Sequence, residues 1–286
     1  MLKMRIILAK ILKVLFKINL IKSKYFGLHK KVFKPLNLFK DVILKVEFNG
    51  FFLVLHLDDW IQENIFFLGE YEKAELKTLD YFLNENSVFV DLGANFGLYS
   101  LYASKLIGMD GEVISFEPFK KNYKALTNNI AINNFMNIQS ENIAVGEREG
   151  KINLYYDSNE MNLGMVSTKF IENSYNEEVN VITLDSYFRD KSINRIDFIK
   201  IDIEGHEYKA LLGMKNLLLK FHPTLLIEIL KEEELPNNED KVIHFLNSLG
   251  YIKYIINNNG SISLKQNNLK RQNYIFSTKK NIEIIV

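Results

Sequence analysis

The strongest constraint on this chain is a run of short apolar segments, each ending in polar residues and each followed by a stretch of helical periodicity. The first, Val88-Phe-Val, ends at Asp91 and turns through Gly93, Asn95 and Gly97 into a helix expected over Phe96–Ile107 and stopped by Gly108. A strand over Glu112–Glu117, a helix over Phe119–Asn133 and a strand over Ile138–Val145 follow. Residues 151–156 and 178–183 alternate as antiparallel strands do. Ile196–Ile203 is almost wholly apolar, as a strand covered on both faces should be. Next come a helix over His206–Leu219, a strand over Thr224–Leu230, a helix over 239–249, and strands over Tyr251–Ile256 and Gln272–Phe276. This rhythm predicts an α/β fold with a doubly wound, mostly parallel sheet and right-handed crossovers. Ligands of such sheets bind beyond the carboxyl ends of the strands.

The length, 286 residues with 47% apolar, suffices for one large α/β domain and a small extension. The expected organisation is a basic amphipathic arm over 1–40, a hairpin and helix over 41–84, and the main α/β domain over 85–286. The hairpin turns at Asn49-Gly50, and its helix covers 70–84. The chain has no Cys, which excludes disulfides, thiolate metal sites and a cysteine nucleophile. Residues 1–40 carry eleven Lys or Arg and no acid, whereas 41–286 hold 25 basic against 35 acidic residues. An acidic body argues against a nucleic-acid partner. The oligomeric state is not readable.

Within residues 1–24, lysines interrupt a Leu- and Ile-rich stretch. Lys3, Lys10, Lys13, Lys17 and Lys24 gather on one side of a helical projection. A spanning helix would bury Lys10 and Lys13 at roughly 2.5–3.5 kcal/mol each. No small-residue cleavage site follows, as a secretory signal would need. An amphipathic helix lying on an anionic membrane surface fits better. The competing reading is an ordinary helix packed on the body with its lysines in water. The expected location is cytoplasmic, and membrane-peripheral if the arm meets lipid.

Four strand ends carry candidate chemistry: Asp91, Glu117, Asn142 and the run Asp202-Ile-Glu204-Gly-His206. The Gly93–Gly97 spacing is neither that of dinucleotide folds nor that of a phosphate loop. A carboxylate at Asp91 would repel a pyrophosphate and suit a cation. Glu117 can accept the two hydroxyls of a ribose. The Asn142 amide could read a ligand or cap the turn into Gly146. Asp202, Glu204 and His206 could bind a metal, act as general base or hold a hydroxyl. Glu207 reads as a helix cap. Glu228, an acid within Leu-Leu-Ile-Glu228-Ile, needs a partner. Trp60, His222 and His244 read as structural.

Four stretches together resemble the FkbM-type methyltransferases: Val90-Asp-Leu-Gly-Ala-Asn-Phe-Gly-Leu-Tyr-Ser100, Phe116-Glu-Pro118, Asn142-Ile-Ala-Val-Gly146 and Lys200-Ile-Asp-Ile-Glu-Gly-His-Glu207. Gly69-Glu-Tyr-Glu72 is similar to the family's pre-domain helix start. The resemblance implies a class I, Rossmann-like methyltransferase fold, S-adenosylmethionine as cofactor, and O-methyl transfer to a hydroxyl of a sugar, glycan or secondary metabolite. It places cofactor contacts on Asp91, Gly93, Ala94, Asn95, Gly97, Glu117 and Asn142, with Asp202 at the boundary to the acceptor. The family often has a small apolar residue at the position of His206. Asp202, Glu204 and His206 become the catalytic candidates, with Glu228 in support, and a metal-free route is favoured over a magnesium-assisted one. The rival readings are a non-enzymatic nucleotide- or lipid-binding α/β protein at a membrane surface, and a nicotinamide-dependent oxidoreductase.

Overall fold

The computed structural model describes residues 1–156, 175–230, 237–264 and 273–278. The chain begins with helices α1 (Leu2–Leu15), α2 (Asn19–Lys22) and α3 (Tyr25–Leu28) and a π-helical turn over His29–Phe33. Hairpin strands β1 (Ile43–Phe48) and β2 (Phe51–His56) follow, then helices α4 (Trp60–Leu68) and α5 (Lys73–Phe82). The βα series is β3 (Val88–Leu92), α6 (Leu98–Ile107), β4 (Glu112–Phe116), α7 (Lys120–Asn133) and β5 (Ile138–Glu141). An excursion holds β6 (Ala144–Val145), β7 (Gly150–Tyr156), β8 (Tyr175–Ile182) and α8 (Leu184–Tyr187). The chain returns through β9 (Phe198–Ile201), α9 (Glu207–Leu212), α10 (Lys215–Phe221), β10 (Thr224–Glu228), α11 (Asn238–Ser248), β11 (Ile252–Ile256), β12 (Ile262–Ser263) and β13 (Asn273–Ser277).

The main sheet has the order β12-β11-β13-β10-β9-β3-β4-β5, with β10, β9, β3, β4 and β5 mutually parallel and β13 antiparallel to β10. The chain winds outward from β3 to β5, then crosses back to β9 and winds the other way. The switch point therefore lies between β3 and β9, where ligands of such sheets bind. Side chains alternate along each strand. Phe89, Val113, Phe198 and Leu226 enter one core with α4, α5, α6 and the N-terminal helices. Val90, Ile114, Ile199 and Ile227 enter the other, against α9, α10 and α11. Phe89 and Phe198 are fully buried and stack at 5.8 Å across the central pair.

The expected doubly wound sheet is present, with local differences. The helix expected over His206–Leu219 is two helices, broken at Gly213-Met214. A Cβ at Gly213 would strike the Gly146 carbonyl oxygen, so the break lets two backbones touch. The strand expected over Ile138–Val145 divides at Asn142-Ile143, and its second half pairs with β8 in a separate three-stranded sheet. Gln272, at the start of the last expected strand, lies outside the described residues. The Asn49-Gly50 turn has both residues at positive φ, as a two-residue hairpin requires.

Residues 1–40 pack into the first core. Phe16 and Tyr25 are buried there, in edge-to-face contact at 5.4 Å. The Tyr25 hydroxyl donates to Glu63 on α4 at 2.8 Å, and His29 meets the same carboxylate at 2.9 Å. α1 ends at Leu15, which removes Lys24 from its face, and Lys13 lies 4.5 Å over the Phe66 ring. The single lysine face of the helical projection is thereby divided.

Candidate active site

The register across β4, β3, β9 and β10 assembles the site. Asp91 stands opposite Ser115 on one side and Lys200 on the other. Side chains two residues further along project from the same face of each strand. Glu117, Gly93, Asp202 and Glu228 therefore follow in one row at the strand ends.

Lys200 is the buried centre of the inner row, with its side chain 6% exposed. Its Nζ lies 3.1 Å from Asp202 Oδ2 and 3.7 Å from Asp91 Oδ1, and donates to the Gly93 carbonyl at 3.3 Å. It also sits 4.9 Å over the Tyr99 ring. Burial opposes its charge, but Asp202, Asp91 and Glu72 outweigh that and raise its pKa above an ordinary lysine's. Asp91 is fully buried, accepts from Ser100 Oγ at 2.6 Å, and does not line the cleft in front of it. The sequence reading gave Asp91 direct contact with a ligand cation. The structure gives it an internal one, Lys200.

The outer row borders a cleft of about 380 Å³, within the range of small-molecule sites. Six carboxylates line it, those of Asp59, Glu72, Glu117, Asp202, Glu204 and Glu228, and its described lining contains no Lys or Arg. Glu117 is buried and joins two strand ends. It accepts from the backbone N–H of Asn95 at 2.8 Å and of Phe119 at 2.9 Å. Burial raises its pKa to about 7 against those two hydrogen bonds. Glu72 accepts from the Tyr99 hydroxyl at 2.8 Å, and burial together with Asp202 raises it to about 7 as well. Burial would also raise Asp202, but Lys200 and a hydrogen bond from Glu228 hold it below the usual aspartate value. Burial and Asp202 push Glu228 up to about 10, so the proton of this pair resides on Glu228.

Backbone strain concentrates here. Among the described residues ten non-glycine positions have positive φ, and eight of them are Asn, Asp or His, which tolerate it. The other two, Glu72 and Glu204, both line the cleft. Sparsely populated backbone of this kind gathers at functional sites. At the turn after β3, Gly93 has φ +78° and a Cβ there would collide with the Asp202 carbonyl oxygen. Gly97 has φ +96° and a Cβ there would press on Leu126 and Leu101 at 2.6 and 2.7 Å. Both glycines let the turn close against its neighbours.

Of the residues chosen from sequence, Gly93, Asn95, Glu117, Asp202, Glu204 and His206 meet in the cleft. Ala94 and Gly97 are buried and shape the turn without lining the cleft. Asn142 is exposed, and its amide donates to the Glu117 and Pro118 carbonyls at 2.9 and 2.8 Å, fixing that loop rather than facing a ligand. Glu207, read as a helix cap, is instead the buried first residue of α9 and braces the turn ahead of it, accepting from Gly205 N at 2.7 Å and from Asn238 Nδ2 at 3.1 Å. Trp60, read as structural, lines the cleft and stacks on Tyr25 at 6.1 Å. Sequence reasoning gave no role to Lys200 and missed Tyr71. The available signal for Lys200 was a lone lysine inside an apolar strand.

A methyl donor such as S-adenosylmethionine, with its ribose, ammonium and sulfonium, requires hydroxyl acceptors and negative charge. The residues fit it. Asn95 Oδ1 is a buried acceptor without a hydrogen-bond partner in the cleft wall, and each Glu117 oxygen retains a free lone pair. Among the described residues no three His, Asp or Glu side chains form a metal-binding group.

The model of the methyltransferase FkbM domain matches residues 91–253, more than half of the chain and the whole span from the β3 carboxylate to β11. The chain belongs to the FkbM methyltransferase family. Its α/β domain is thus a methyltransferase domain, and S-adenosylmethionine is the methyl donor. Among curated relatives, Methyltransferase 1 of Beauveria bassiana (strain ARSEF 2860) is 21% identical over 150 residues, which cover 46% of this chain and 60% of that protein. Methyltransferase sdnD of Sordaria araneosa is 25% identical over 163 residues, covering 46% and 62%. The chain thus spans about three-fifths of the length of these relatives. The crystal structure of methyltransferase FkbM from Methylobacillus flagellatus KT aligns with TM-score 0.47 and 18% identity, over 75% of this chain and 52% of that one. M. jannaschii TYW2, solved in complex with AdoMet, aligns with TM-score 0.43 and 12% identity, over 84% and 88%.

Two outcomes follow for the FkbM domain. Lys200→Met leaves Asp91 buried beside no cation and should cost about 3–5 kcal/mol in urea unfolding, with part recovered in Lys200→Met/Asp91→Asn. Glu117 has a folded pKa above the roughly 4.3 of an unfolded glutamate. Its favourable contribution is therefore complete below about 4.3 and is lost as pH rises through about 7. Unfolding free energy of the unliganded protein should fall between pH 5 and 8, and Glu117→Gln should flatten that decline.

Proposed function

We propose that the whole protein is an S-adenosylmethionine-dependent O-methyltransferase whose acceptor is a hydroxyl of a small molecule or glycan. The observation that carries this reading is the sign of the cleft: its lining holds six acidic side chains, of which Glu228 carries a proton and Asp202 is held ionised, and no described Lys or Arg. Such a surface attracts a cationic donor, accepts hydrogen bonds from hydroxyls, and repels phosphates and carboxylates. It therefore disfavours nucleic acid, nicotinamide dinucleotides and anionic acceptors.

In this reading Glu117 receives the ribose hydroxyls. Gly93 and Asn95 bring backbone and a free amide oxygen to the donor, with Ala94 and Gly97 shaping the turn. Asp91 acts one step behind, by fixing Lys200 and through it Asp202. Asn142 holds the Glu117–Pro118 loop in place. The ammonium falls to the ionised outer row, where Asp202 keeps its negative charge. The bound donor supplies an activated methyl group and its own leaving group, so the protein has mainly to position, desolvate and remove a proton.

Proton removal is assigned to Asp202. A hydroxyl oxygen that is gaining a bond to carbon becomes strongly acidic, so a carboxylate of low pKa suffices as acceptor. Glu228, holding the proton of the pair, and Lys200, 3.1 Å from Oδ2, together fix the Asp202 carboxylate in place. Glu204 is exposed on its strained turn and, like His206 two residues on, lines the cleft; both are assigned to the acceptor.

Calorimetry with S-adenosylhomocysteine tests the donor site. Glu117→Ala should weaken binding by roughly 1.5–3 kcal/mol. Unchanged affinity in the folded variant rejects the ribose assignment, and tight NADH binding without S-adenosylhomocysteine binding rejects the reading. With an acceptor found by transfer of labelled methyl to panels of glycans and small hydroxylated molecules, Asp202→Asn should lower kcat by ~10²–10⁴. Glu204→Gln should act mainly on the acceptor KM, and a larger kcat loss in Glu204→Gln would transfer the base to that residue.

A further inference from the structure

The outer face of α1 is apolar and uncovered. Met4 is 75% exposed, Ile7 50%, Ile11 52% and Val14 63%, and Leu15 and Ile18 continue the stripe. The opposite face, Ala9 and Phe16, is buried against the body. Among the described residues, eleven of the nineteen exposed large apolar side chains fall within the first 36 residues, so the exposure is local. At about 100° per residue, Lys3 and Lys10 form a row along one edge of this stripe, and Lys17 follows in the turn just past the helix end. All three are exposed.

We propose that this face of α1 seats the protein on the surface of an anionic lipid bilayer. The apolar stripe enters the boundary between headgroups and acyl chains, and the lysine row meets the negative headgroups. Charge selects this occupant. Residues 1–40 hold eleven basic residues and no acid, while the remainder is net acidic, so an anionic surface draws this end in and turns the body away. A second copy packed antiparallel on the same stripe would bring lysine row against lysine row, an unfavourable juxtaposition. Insertion stops at the surface, because no described helix is long and apolar enough to cross a membrane.

Flotation of the full chain with vesicles tests this directly. The protein should float with vesicles of phosphatidylcholine and phosphatidylglycerol, much less with phosphatidylcholine alone, and less again as salt rises, since exposed charges are screened within ~10 Å at 0.1 M. Ile7→Asp/Ile11→Asp should reduce binding to background with an unchanged thermal unfolding midpoint, both side chains being exposed already. Lys3→Gln/Lys10→Gln/Lys17→Gln should weaken binding to anionic vesicles on the order of a hundredfold. Failure of the wild-type chain to float with anionic vesicles overturns the proposal, as does equal flotation of the Ile7→Asp/Ile11→Asp variant. A wild-type dimer in sedimentation equilibrium that this variant dissociates, with no vesicle binding, gives the face to a second copy and overturns it too.

Discussion

One buried cation organises the catalytic end of this molecule. Lys200 lies inside a strand with apolar neighbours on both sides, where a lone ammonium would be prohibitive. It is held there by Asp91 in the central strand and by Asp202 two residues along its own. Removing Lys200 leaves both carboxylates without their shared cation. The contact also ties the switch point of the sheet together: the strand before the glycine turn and the strand before the Asp202 turn are linked by an ion pair as well as by their ladder. The polarity of the cleft rests on this arrangement. Lys200 keeps Asp202 ionised, Asp202 keeps Glu228 protonated, and Glu72 and Glu117 are raised by burial in the same enclosure.

The period-two alternation of the central strands makes this arrangement compatible with a stable core. On one side β3 and β9 contribute Val90, Leu92, Ile199 and Ile201 to a wholly apolar layer. On the other, Phe89 and Phe198 give way, two residues later, to Asp91 and Lys200. The chain thus changes from hydrophobic to ionic packing within one pleat, just before the strand ends. Helix α4 connects this end with the N-terminal segment: its first turn borders the cleft, and its body carries the Phe16, Tyr25 and His29 contacts.

Much of this was legible in the sequence. The parallel sheet followed from alternating apolar strands and helices, and the position of the cleft from polar residues at strand ends. Gly93, Asn95, Glu117 and the Asp202–His206 run were identifiable because strand-end position and residue type act locally. Asp91 and Asn142 show the limit. Their motifs were recognised, but the direction of each side chain depends on what stands beside it. Asp91 faces Lys200, more than a hundred residues away in sequence. Asn142 is occupied by two carbonyls of a loop on the neighbouring strand. Trp60 was passed over because nothing in its local sequence distinguishes a cleft wall from a core.

The sequence by itself determined the fold class, the strand ends that carry the site and the residue types gathered there, because periodicity, turn chemistry and strand-end position are properties of short segments. Only the tertiary structure decided which carboxylates are ionised, which backbone positions are strained and which faces remain uncovered. Protonation depends on burial and on charges brought together across strands. Glu72 and Glu204 take their positive φ at turns that the assembled cleft brings together. The apolar stripe of α1 is exposed because the opposite face, with Ala9 and Phe16, is the one that packs into the core.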